Sequence, residues 1–95
     1  MGGFMAEVIV TMRLMPESPE VNWGFVFEKV NEVIKKHGGE VGKKEEKPVA
    51  FGLKALEIIY VVDESSGSTE ALEQEVSGIQ GIESVEITDV RRALG

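Results

Sequence analysis

Leu53-Lys54-Ala55-Leu56-Glu57-Ile58-Ile59-Tyr60-Val61-Val62 is the run on which the fold of this 95-residue chain turns. It is rich in Leu, Ile, Val and Tyr, which suit a pleated, packed surface. Apolar side chains occupy nearly every position rather than every second one. That nearly two-sided apolarity places the strand in a central position of its sheet. Its longest unbroken apolar stretch, Ile58 to Val62, is strand-sized and far short of the ~20 residues a membrane helix needs.

Upstream of this run, Pro48 interrupts strand pairing. Glu40 to Lys47 is charge-rich, with Val41 as its aliphatic residue, and reads as an edge strand whose charges discourage sheet-to-sheet association. Further back, Trp23, Val26, Phe27, Val30, Val33 and Ile34 recur at helical spacing, with Glu28, Lys29, Glu32, Lys35 and Lys36 turned to water. Asn22 is the predicted N-cap and Gly38-Gly39 the predicted stop. Ala6 to Met15 alternates as a strand with one apolar face: Ala6, Val8, Val10, Met12 and Leu14. Pro16, Ser18 and Pro19 make the loop after it.

Downstream, Ser65-Ser66-Gly67-Ser68 reads as a turn and cap. Leu72, Val76 and Ile79 define a second amphipathic helix whose other face bears Glu70, Glu73 and Glu75. Gly78 and Gly81 end it, and Glu83 to Val90 alternates again with Val85 and Ile87 on one face. The order is strand, helix, strand, strand, helix, strand. Two split βαβ halves with right-handed crossovers give a ferredoxin-like α+β sandwich, four antiparallel strands with both helices on one face. Residues 1–95 form a single domain. Met5 offers an alternative start, so residues 1–5 are expected to lie outside the ordered part.

Composition narrows the function. A net charge of -7 and a pI near 4.7 argue against a phosphate backbone as main partner, because nucleic-acid affinity rests on Lys and Arg. The chain has no cysteine, which removes disulfides, thiolate nucleophiles and Cys-ligated zinc. The sequence shows no signal-peptide pattern, and the expectation is a cytoplasmic protein that binds neither membrane nor nucleic acid directly. An RNA-recognition sheet would stack bases on aromatic residues of its central strands. Here those strands offer only Tyr60, without the basic-aromatic pattern.

Enzymatic chemistry is equally hard to place. There is no nucleophile elbow, phosphate loop or dinucleotide fingerprint. The glycines at 38, 39, 42, 52, 67, 78 and 81 are read as element ends. His37, after Lys35-Lys36, reads as complementing the helix dipole rather than ligating a metal. Glu70, Glu73 and Glu75 read as a solvated face. No cofactor or metal is expected.

Two segments are less well explained by structure alone. In Pro48-Val49-Ala50-Phe51-Gly52-Leu53-Lys54 a large aromatic stands in a strand-to-strand connection. It either folds back onto the core or anchors a partner. In Thr88-Asp89-Val90-Arg91-Arg92-Ala93-Leu94-Gly95 two arginines follow the expected last strand. They form either a solvated tail or a basic probe free to reach out.

Those two segments, with Met15-Pro16-Glu17-Ser18-Pro19 and Ser77-Gly78-Ile79-Gln80-Gly81-Ile82, resemble the hallmark stretches of the archaeal translation elongation factor 1-beta family. Their order and separation match from about Ala6 to Leu94. The resemblance implies a non-enzymatic guanine nucleotide exchange factor whose partner is the GTPase elongation factor 1-alpha, in its GDP-bound and nucleotide-free states. It places Phe51, Gly52, Leu53 and Lys54 against the GTPase, with Asp89, Arg91 and Arg92 at the end near the nucleotide's magnesium. The eukaryotic counterpart carries a near-terminal lysine whose matching place here is about Leu94-Gly95, so Arg91 or Arg92 is the candidate cation. The competing expectation is a small ligand- or metal-sensing module that oligomerises through its sheet.

Overall fold

The computed structural model describes residues 7–63 and 70–93. Its elements are β1 (Glu7–Pro16), α1 (Trp23–Lys36), β2 (Glu40–Pro48), β3 (Lys54–Asp63), α2 (Glu70–Ser77) and β4 (Ile82–Ala93). The strands form one antiparallel sheet in the order β2-β3-β1-β4. The expected ferredoxin-like α+β arrangement is therefore the one observed. The predicted turn at Ser65 to Ser68 lies outside the described residues, as do Met1 to Ala6 and Leu94-Gly95.

Register explains the single core. Val8, Val10, Met12 and Leu14 of β1 stand opposite Val62, Tyr60, Ile58 and Leu56 of β3. Opposed residues share a face, and this one packs against Trp23, Val26, Val30 and Ile34 of α1 and Leu72 and Val76 of α2. Both helices thus lie on the same side. Ile9, Thr11, Ile59 and Val61 occupy the other side, where no helix covers them among the described residues. Tyr60 is fully buried and its hydroxyl has no hydrogen-bond partner among the described residues. Burial, with the charge of Glu73 adding to it, pushes its pKa up to about 12.

Local signals set the ends of α1. The Asn22 side chain accepts a hydrogen bond from the Phe25 amide at 3.2 Å, as an N-cap should. Gly38 has a φ of 82°, and the amides of Gly38 and Gly39 donate to the carbonyls of Lys35 and Ile34 at 3.0 and 2.8 Å. This is the Schellman closure, which needs a left-handed residue at Gly38. No helix among the described residues is long and apolar enough to cross a membrane.

β2 is an edge strand, exposed at every residue but Val41. Its charges are engaged locally. Lys47 pairs with Glu57 at 3.0 Å, and the hydrogen bond to that carboxylate raises the lysine's pKa. The Lys44 ammonium lies 4.1 Å from the centre of the Phe27 ring. Two residues of β2 differ from expectation. Pro48 does not break the ladder but closes it, in register with Lys54; an edge strand tolerates a residue without an N–H. Gly42 marks a register shift inside β2 rather than an element end: it is the extra residue of a β-bulge, left without a partner on β3.

Candidate functional site

The hairpin between β2 and β3 is short. Val49 donates its amide to the Leu53 carbonyl at 2.9 Å, and Leu53 donates to Ala50 at 3.3 Å. The two residues enclosed, Phe51 and Gly52, have φ values of 63° and 72°. Paired positive φ angles belong to the mirror-image turns that match the twist of hairpin strands, where Asn-Gly is the usual choice. A phenylalanine there is unusual and strained. Its ring gains nothing from the core in return: Phe51 is 94% exposed. Of the two sequence readings, the fold-back onto the core is excluded. Gly52 and Lys54 are also exposed, and Leu53 is half-buried beneath them.

Two further contacts fasten this end of the molecule. The buried Trp23 indole donates from Nε1 to the Lys54 carbonyl at 2.9 Å, tying the first turn of α1 to the residue that follows the hairpin. Glu17 and Gly81 clasp each other: the Glu17 amide donates to the Gly81 carbonyl at 3.0 Å, and the Gly81 amide to Glu17 Oε1 at 3.1 Å. The loops after β1 and before β4 are joined by that clasp. Sequence reading missed both ties. A tryptophan among aliphatic residues at a helix start was the available signal, since a buried indole N–H seeks an acceptor.

The C-terminal candidates sit differently from expectation. β4 does not stop at Val90 but continues to Ala93, with Arg91 opposite Ile9 and Arg92 opposite Val8. The arginines are strand residues, not a tail. Nothing after Val90 breaks a strand, and the N-terminal residues of β1 offer partners for three more. A bulge at Thr88, where the register shifts between Thr11 and Met12, keeps the alternation in step. Arg91 lies on the uncovered face, its Nε 2.9 Å from Asp89 Oδ2. Arg92 projects to the other side, next to Val8. Both are exposed.

The seven candidates therefore form two groups. Phe51 to Lys54 cap one end of the sheet; Asp89, Arg91 and Arg92 lie toward the other. Arg91 is level with Ile9 and Val61, seven residues along β3 from Lys54, so about 23 Å of strand separates the groups.

The acidic face of α2 is also more than solvated. Glu75 accepts from Lys36 at 2.9 Å through one oxygen and meets His37 Nε2 at 2.7 Å through the other. The hydrogen bond from Lys36, then that from His37, holds its carboxyl below the usual range. His37 is the C-cap of α1, as its position after two lysines predicts, and it also bridges to α2. No cluster of three or more metal-ligating side chains occurs among the described residues.

Residues 9–93 match a family described as the EF-1 guanine nucleotide exchange domain. The chain is 43% identical to elongation factor 1-beta of Methanothermobacter thermautotrophicus over 90 residues, which span 95% of this chain and all of that protein. Over the same shares it is 38% identical to elongation factor 1-beta of Methanobrevibacter smithii. It is 37% identical to that of Methanocaldococcus jannaschii, over 94% of this chain and all of that protein.

Proposed function

From the premise that this chain belongs to the elongation factor 1-beta family, whose role is in translation elongation, we propose that it releases GDP from elongation factor 1-alpha so that GTP can replace it. The family match across residues 9–93 is the observation that carries this reading. The exposed, strained Phe51 supports it, because an aromatic held out of the core at an energetic cost is typical of a binding anchor.

In this mechanism Phe51 enters a pocket on the GTPase while Arg91 or Arg92 approaches the GTPase's magnesium and diphosphate site. GDP is held by the metal and by phosphate-loop amides. A cation brought beside the metal repels it and competes for the phosphate charge. The arginines sit on a strand paired along β1, so the cation is carried by the sheet instead of by a tail. No covalent bond is made or broken. The factor works by binding the nucleotide-free GTPase more tightly than the GDP-bound one, and release follows from that difference.

Fluorescent GDP preloaded on elongation factor 1-alpha provides the test. Addition of the protein at about micromolar concentration should accelerate its release at least tenfold, with the Arg91→Ala, Arg92→Ala double variant slower by roughly tenfold and still folded, the loss expected for a truncated charge contact. Release at the spontaneous rate in the presence of the wild-type protein would refute the proposal.

A further inference from the structure

We infer that Trp23 is a positioning residue for Phe51, acting through the Lys54 carbonyl; the inference rests on the exchange reading above. The reason lies in a gap in the sheet. The β1–β3 register pairs Leu14 with Leu56, and continuing it by two residues sets Lys54 against Pro16. Proline has no N–H to offer, so strand pairing cannot supply a donor from that position to the Lys54 carbonyl. The Trp23 indole fills the place from outside the sheet, at 2.9 Å. Its own ring is 6% exposed and packed in the core, so the donor is fixed by the body of the domain.

On the other side of the hairpin the flank is weak. β2 is exposed at every residue but Val41 and ends in Pro48. The turn itself is closed only by the Val49–Leu53 and Leu53–Ala50 hydrogen bonds, around a residue whose backbone is strained. An exposed turn with few buried contacts belongs to the low end of local stability, so a fixed flank restrains it. Trp23 holds the β3 flank, directly after the turn. An anchor that is already in its bound geometry loses less freedom on association, so the indole N–H should show in the affinity for the GTPase and not in the release step.

The clean test removes one N–H group: Trp23 is replaced by 3-benzothienylalanine, which keeps the shape of the ring and lacks the donor, with Trp23→Phe beside it. The half-saturating concentration for GDP release should rise about three- to tenfold, the effect of one hydrogen bond, while the maximal rate stays within about twofold. Hydrogen exchange at the Leu53 amide should quicken. Val30→Ala, a core change away from the hairpin, should lower stability and leave half-saturation in place. An unmoved half-saturation, or a fall in maximal rate alone, would overturn the role of Trp23, as would unchanged exchange at Leu53. A wild-type protein without effect on GDP release would instead overturn the exchange reading itself.

Discussion

Phe51 shows how a single residue can be placed against its own preference. The left-handed conformation at φ 63° suits Asn or Gly, and a bulky side chain there costs on the order of 1–2 kcal/mol. Phe51→Asn should therefore stabilise the domain by roughly 1 kcal/mol, seen as a Tm higher by about 4–8 °C for a chain this size. The same change should raise the half-saturating concentration for GDP release by tenfold or more, since buried aromatic anchors commonly contribute about 2 kcal/mol or more to association. A lower Tm would mean that the ring stabilises the free protein after all. The sequence marked Phe51 as one of two alternatives. Choosing between them required its exposure, because composition does not say which way a turn side chain points.

Among the elements, the contact between the helices rests partly on one carboxylate. Glu75 of α2 grips both Lys36 and His37 at the end of α1. Its folded-state pKa is depressed, so the stabilisation it brings is complete above its unfolded value and disappears as pH falls through the folded one. In thermal melts Glu75→Gln should lower Tm at neutral pH, and the gap from wild type should close between about pH 5 and pH 3. A gap of constant size would show that the ion pairs contribute nothing. This clamp was hidden in sequence because its partners are 39 and 38 residues apart. The extension of β4 was missed for a related reason: a strand continues as long as a neighbour offers partners, and the length of β1 decides that.

For the molecule as a whole, the two candidate groups are held apart by the sheet that connects them, and a partner that met both would have to span that distance. Such distant groups share no contact, so their effects on binding should add. Combining Phe51→Ala with Arg91→Ala should change the free energy of GTPase activation by the sum of the single effects, within about 0.5 kcal/mol. A double-variant cycle with coupling clearly beyond that would place the two residues on one patch, contrary to the register described.

What the sequence determined by itself is the order and type of the elements, the inner place of β3, the edge character of β2 and the caps of α1. These depend on short-range pattern: spacing of apolar residues, a side chain near its own backbone, a glycine after a helix. Tertiary structure alone decided that Phe51 faces water, that Arg91 and Arg92 belong to a strand, and that Trp23 and Glu75 hold elements together. Each of those depends on which distant backbone group has an unmet donor, acceptor or neighbour, and that is set only when the chain has closed on itself.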